Sequence, residues 1–190
     1  MTALPVRVAV LVSGGGTNLQ ALLDALQDFP FARITRVISN RSDAGALARA
    51  RAAGVPTMVL RDPANAAELL AALGDANLVV LAGYLKLVPA AVVSRFRGRM
   101  INIHPALLPA FGGPGMYGQH LHAAVLASGA TESGVTVHFV DEAFDRGEII
   151  AQERVPVLPD DTPETLAARV LEAEHRLLPK VVLDLARRIS

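Results

Sequence analysis

Asn102 and His104 stand one residue apart in Ile101-Asn102-Ile103-His104-Pro105. In a strand, whose side chains alternate between faces, that spacing points both to one side. An amide N–H can stabilise a developing oxyanion, and an imidazole with an ordinary pKa near 6.5 can carry a proton at neutral pH. The pair therefore suits a reaction in which charge develops on an oxygen while a proton moves. The same residues also fit a local cap and a hydrogen-bonded buried histidine, and spacing alone leaves both readings open. Asp145, in the acidic turn Val140-Asp141-Glu142-Ala143-Phe144-Asp145-Arg146-Gly147, adds a carboxylate. Acids favour turns for local hydrogen-bonding reasons as well, so this residue too has a purely structural alternative.

A second candidate is Ser13-Gly14-Gly15-Gly16-Thr17-Asn18. Glycines between a strand and a helix let the backbone approach a ligand, while free N–H groups and the helix dipole attract an anion. A tight turn with no ligand is the alternative. No Gly-Lys-Ser/Thr follows, which excludes a Walker loop, and Leu19 occupies the third glycine position of a dinucleotide fingerprint. With no acid near Asn40 to hold a ribose, the loop predicts a monophosphate rather than NAD. His120-x-His122 would splay its rings apart on a helix and lacks a third ligand, and there is no cysteine. No metal site is expected.

The elements that must position these residues follow from hydrophobic periodicity. Val6 to Val12 reads as a strand, followed after the glycine loop by a helix carrying Leu19, Leu22, Leu23 and Leu26. Ala32 to Asn40 and Pro56 to Leu60 read as strands, with Asp43 to Ala53 and Pro63 to Leu73 as helices. Asn77 to Ala82 is apolar on both faces, as a covered central strand should be, and Arg99 to Ile103 is the next strand. Such alternation implies a parallel sheet with helices on both faces. Ligands bind beyond the carboxyl ends of its strands, where Asn102 and His104 lie. From Pro105 to Gly118 three prolines and four glycines without periodicity predict an ordered loop forming a wall of the site. Gln119 to Ser128 reads as a helix, and Gly134 to Val140 and Glu148 to Leu158 as β-branched strands paired antiparallel around Phe144 to Gly147. Thr162 as cap and Pro163 at the first position begin a final helix with Leu166, Val170, Leu177 and Leu178 on its apolar face.

The chain has 190 residues, enough for a full core, and no repeat or linker divides it, so residues 1–190 are expected to form a single domain. Eighteen basic and eighteen acidic residues cancel, so no global field argues for nucleic acid or an anionic membrane, and an anionic ligand must be held locally. Without cysteine, a charged-then-apolar leader ahead of Pro5 or an apolar run long enough to span a bilayer, the expected location is the cytoplasm. Nothing in the sequence fixes an oligomeric state.

Five blocks taken in order resemble the folate-dependent glycinamide ribonucleotide formyltransferases of purine synthesis. They are Val12-Ser-Gly-Gly-Gly-Thr-Asn-Leu-Gln-Ala21, Leu81-Ala-Gly-Tyr84, Asn102-Ile-His-Pro105 with Leu107-Leu-Pro109, Gly134-Val-Thr-Val-His-Phe-Val140, and Ala173-Glu-His175. The resemblance spans nearly the whole chain. It implies a Rossmann-like, doubly wound, mostly parallel α/β sheet in one domain. It also implies that Asn102, His104 and Asp145 are catalytic. Gly16, Thr17, Asn18 and Glu174 would hold phosphoribosylglycinamide, the first three at its phosphate and Glu174 at the ribose hydroxyls. Leu85, Lys86, Leu87 and Val88, with Val140, Asp141, Glu142, Asn102 and Asp145, would line the folate site. Lys86 stands where relatives often carry Arg, which replaces a bidentate fork with a point charge. Leu171 stands where some relatives place Lys near the phosphate, and Phe111 to Gly118 is longer than the corresponding loop of many members.

The implied reaction is formyl transfer from 10-formyltetrahydrofolate to the substrate amine, without a covalent enzyme intermediate or a metal. Asn102 and a protonated His104 would stabilise the oxyanion, with Asp145 raising the pKa of His104. Methionyl-tRNA formyltransferase and formyltetrahydrofolate deformylase share the Asn/His/Asp set but normally carry a further domain. A regulatory nucleotide-binding module would bind without forming product, and a nicotinamide-dependent oxidoreductase is disfavoured by the broken glycine pattern.

Overall fold

The strand Val6–Val12 (β1) alternates its side chains between two cores: Val6, Val8, Val10 and Val12 enter one, and Ala9 and Leu11 enter the other. That alternation makes β1 central. The computed structural model, which describes residues 4–189, builds a three-layer α/β architecture around it. The chain continues through α1 (Thr17–Leu26), β2 (Ala32–Ser39), α2 (Gly45–Ala52), β3 (Thr57–Val59), α3 (Ala66–Leu73), β4 (Leu78–Leu81), α4 (Ala90–Arg95) and β5 (Met100–His104). It ends with α5 (Gly118–Ala127), β6 (Glu132–Phe139), β7 (Ile149–Pro156) and α6 (Pro163–Ile189). The sheet order is β3-β2-β1-β4-β5-β6-β7, with the first five strands parallel and β6 and β7 antiparallel to their predecessors. The doubly wound sheet with antiparallel C-terminal strands and a long final helix is as the sequence implies.

Helices α1, α2, α5 and α6 cover one face, and α3 and α4 the other. Leu19, Leu22 and Leu26, at steps of three and four, bury the α1 stripe. In α6 the buried positions Leu166, Val170, Ala173 and Leu177 do the same and carry Glu174 inward beside them. Thr162 caps α6, its Oγ1 accepting from the Thr165 N–H at 3.3 Å. The short helix α4 was not expected; its six residues give only Val92 and Val93 as a buried signal, too little for a periodic pattern. Observed strand and helix ends otherwise differ from expectation by a few residues, as at Glu132, where β6 begins two residues early.

The order reverses between β1 and β4, opening a crevice at their carboxyl ends. Ser13 closes its floor: its N–H donates to the Gly83 carbonyl at 3.1 Å, and its Oγ donates to Asn40 Oδ1 and accepts from the Leu85 N–H at 2.9 Å. Among the described residues no helix is long and apolar enough to cross a membrane.

Candidate active site

The end of β5 meets β6 in antiparallel register, with Asn102 opposite His138 and His104 opposite Thr136. Directly opposed residues share a face of the sheet, so Asn102 and His138 are placed side by side, the Asn102 Nδ2 lying 3.1 Å from the His138 Nε2. The β6–β7 loop then folds back over them. It can do so because Gly147 presses against the Phe139 carbonyl, where any Cβ would collide with the oxygen. The fold-back delivers Asp145, itself at φ 56, an uncommon conformation for a residue with a side chain.

Asp145 is the hub. Its Oδ1 lies 3.5 Å from His104 Nδ1, 3.6 Å from His138 Nε2 and 3.4 Å from Asn102 Nδ2, while Oδ2 accepts the Gly113 N–H at 3.0 Å. Protons can be assigned from the partners. His104 Nε2 faces the Phe111 carbonyl at 2.8 Å, and a carbonyl only accepts, so Nε2 carries the hydrogen and Nδ1 is the nitrogen turned to Asp145. His138 Nδ1 faces its neighbour's carbonyl, Phe139 O, at 2.8 Å, which leaves Nε2 to accept from Asn102. The Phe111 carbonyl is aimed by a second left-handed residue, Phe111 at φ 56.

Burial, the largest influence on His104, favours the neutral ring, and it outweighs Asp145 and the Phe111 carbonyl, which favour the charged one. The His104 pKa therefore lies below its ordinary value. Asp145 does pull upward as expected, but the expected net rise to a protonated His104 is corrected: with the side chain 5% exposed, the loss of hydration exceeds the attraction of a carboxylate 3.5 Å away. For Asp145 burial pushes upward, but His138 and His104, whenever either ring is charged, and the Gly113 N–H hold the carboxyl below its usual range.

Asn102, His104, His138 and Asp145 line a cavity of about 440 Å³. Leu85, Lys86, Leu87 and Val88 form one wall, Val140 and Asp141 another, and the Gly113–Gly118 segment the expected third. Asn18 and Glu174 line the same cavity, and their side chains meet at 3.2 Å, Asn18 Nδ2 to Glu174 Oε2. Burial pushes the Glu174 carboxyl up to about 7, against a partial opposing pull from Asn18. Asn18 Oδ1 and the Tyr84 hydroxyl line this cavity buried and without a partner among the described residues. Orphaned buried acceptors and donors of this kind are uncommon in a folded protein and fit a ligand that supplies the missing bonds.

Not every expected residue converges here. Glu142 lies outside the cavity and pairs with Arg97 at 2.8 Å on the surface. Gly16 and Thr17 sit beyond the cavity at the head of α1, with Gly16 at φ 79 and so close to α2 that a Cβ would fall 2.5 Å from that of Ala46. His122 is buried on α5 while His120 is exposed, and among the described residues no group of three His, Cys, Asp or Glu is arranged to hold a metal ion. His138 is the functional neighbour that sequence reasoning did not single out, although it lies inside a quoted block. Its role depends on the cross-strand register, which no local pattern reveals.

The chain is similar to known proteins over nearly its whole length. The family model described as formyl transferase matches residues 6–182. The phosphoribosylglycinamide formyltransferase of Haemophilus influenzae is 41% identical over 186 residues, covering 93% of this chain and 85% of that protein. The chloroplastic phosphoribosylglycinamide formyltransferase of Arabidopsis thaliana is 45% identical over 93% of this chain. The chain spans 64% of the length of that relative and 59% of its Vigna unguiculata counterpart. The crystal structure of phosphoribosylglycinamide formyltransferase from Brucella melitensis superposes with a TM-score of 0.85 at 44% identity, covering 96% of each chain.

Proposed function

The chain belongs to the formyl transferase family, and from that membership and the geometry of its cavity we propose that it is a phosphoribosylglycinamide formyltransferase of purine synthesis. It transfers the formyl group of 10-formyltetrahydrofolate to the amine of 5'-phosphoribosylglycinamide, giving formylglycinamide ribonucleotide and tetrahydrofolate. The observation that carries this reading is that Asn102, His104 and Asp145 line the same cavity as Asn18 and Glu174. An amine held beside Asn18 and Glu174 shares that cavity with a formyl group held beside Asn102 and His104. The apolar wall of Leu85, Leu87, Val88 and Val140 suits the folate ring system, and exposed Lys86 suits its anionic tail. Glu174 suits the ribose hydroxyls, and the Gly16-Thr17-Asn18 turn the phosphate. The small-molecule substrates need neither nucleic acid nor a membrane as partner, and the site of action is the cytoplasm.

The chemistry follows from the proton assignments. The amine nitrogen attacks the formyl carbon, and the carbonyl electron pair moves to oxygen. Neutral His104 takes the ammonium proton at Nδ1, and the imidazolium so formed lies beside the Asp145 carboxylate, which stabilises it. The new imidazolium and the Asn102 amide stabilise the oxyanion. Return of the electron pair breaks the bond to the folate nitrogen, which receives the proton from His104. A ring that is neutral in the empty site is the form this sequence of steps needs, since a ring already charged has no capacity to accept a proton. Asn102 Nδ2 starts out shared between His138 and Asp145, so its orientation is set before substrate arrives.

The test is an assay with phosphoribosylglycinamide and 10-formyltetrahydrofolate in the presence of EDTA, following folate release spectroscopically and identifying the product by mass. Stoichiometric formylated ribonucleotide and tetrahydrofolate are expected. Absence of product, or activity that needs added zinc, rejects the proposal.

A further inference from the structure

We infer that Arg49, on α2, is a positioning residue for the phosphate end of the site and supplies the positive charge that Leu171 does not. This rests on the phosphate-loop reading above and adds a residue to it.

Each glycine carbonyl of the loop is committed. Gly14 O accepts the Ala46 N–H at 3.0 Å, Gly15 O accepts the Arg49 Nε–H at 2.8 Å, and Gly16 O accepts the Gln20 N–H at 2.9 Å. A trans peptide is planar, with N–H and C=O on opposite sides. Fixing the Gly14 and Gly15 carbonyls on α2 therefore turns the N–H groups of Gly15 and Gly16 away from α2. Helix α1, which this turn opens, packs against both α2 and α6, the helix carrying Glu174. Among the described residues, neither N–H donates to any group. Gly16 is left-handed, and free N–H groups on consecutive residues are the donors from which an anion-binding turn is built.

Arg49 is placed to hold this geometry in two ways. Its Nη1 donates to Gln20 Oε1 at 3.4 Å, so one guanidinium ties the loop to the first turns of α1. Among the described residues it forms no salt bridge, and Asp24 is the carboxylate that lines one surface depression with it. One hydrogen bond plus the width of a peptide puts Nε within about 5 Å of the Gly16 N–H. Thr17 and His175 line the same depression. Leu171 brings no charge from α6, so Arg49 is the fixed cation beside this turn.

The test compares wild type with Arg49→Ala and Arg49→Lys, using phosphoribosylglycinamide and its phosphate-free riboside. Binding is measured by calorimetry without folate, turnover with it, and folding by thermal melting. Arg49→Ala is expected to weaken ribonucleotide binding and raise its KM about 10- to 100-fold, through loss of the loop's tether and of a nearby cation. Saturated kcat and riboside binding should change less than about 3-fold. Arg49→Lys should recover part of the loss and decides the matter where the alanine variant fails to fold. Equal losses for ribonucleotide and riboside, or no loss for either, overturn the inference. A wild type that binds the ribonucleotide through Arg49 yet forms no product leaves Arg49 in place and rejects formyl transfer instead.

Discussion

The glycine turn and the catalytic cluster are built by different means. The turn from Gly14 to Asn18 is four peptides long, and its shape is written into consecutive glycines and the helix they open. In the catalytic cluster nothing is local. Asn102 and His138 lie 36 positions apart, Asn102 and Asp145 lie 43 apart, and they meet only because the sheet changes from parallel to antiparallel between β5 and β6. The first kind of site holds its ligand in the ground state, so substitutions around it should cost binding more than turnover. The second depends on a few side chains acting as one unit, so single substitutions there should cost turnover far more than binding.

Asp145→Asn gives the largest expected effect. It keeps the shape and removes the charge that stabilises an imidazolium at His104, and kcat should fall ~10³-fold or more while the ribonucleotide KM moves only a few-fold. A steady-state comparison that finds KM changed as much as kcat breaks the contrast between the two. Asn102→Ala removes one oxyanion donor and should cost ~10²–10³ in kcat, measured the same way.

Glu174→Gln belongs with the binding groups and should raise the ribonucleotide KM roughly 10- to 100-fold with little change in kcat. It should also stabilise the empty protein. The folded carboxyl titrates near 7 against an ordinary 4.5, so the folded state holds the proton more tightly. Stability is then lost as pH rises from 4.5 through 7, by up to about 3 kcal/mol at about 1.4 kcal/mol per pH unit. The variant should melt several degrees above wild type near pH 8 and together with it near pH 4, which calorimetry checks. A smaller effect concerns His104, whose NMR titration should lie below 6.5 and move lower still in Asp145→Asn, because the one carboxylate favouring its charged form is gone. As a buried neutral ring it contributes stability above 6.5 that is lost as pH falls through its folded pKa. Lys86→Arg should be the mildest change, lowering the folate KM no more than about 3-fold by restoring a fork.

The same contrast explains what could be read from the residues alone. The β1–loop–α1 unit was legible because apolar period two, three glycines and apolar period 3.6 follow one another without interruption. Asn102 and His104 were legible as a pair because strand alternation places them on one face. His138 was not, since shifting β6 by one residue against β5 would turn it to the opposite side. Glu142 looked equivalent to Asp145 in the same turn, but only the fold-back at Gly147 decides which acid points inward. The direction of the His104 shift needed the burial as well as the partner, and spacing gives no measure of burial.

The central claim is that Asp145 and His104 act together on the transferred proton, and a double-mutant cycle on kcat tests it most directly. Wild type, Asp145→Asn, His104→Ala and the double variant are compared at saturating substrates. If the carboxylate works only through the ring, the double variant should lose about as much as the worse single variant, within about 3-fold. Losses that multiply would contradict the account, leaving Asp145 as an independent element of the turn and His104 to move the proton alone.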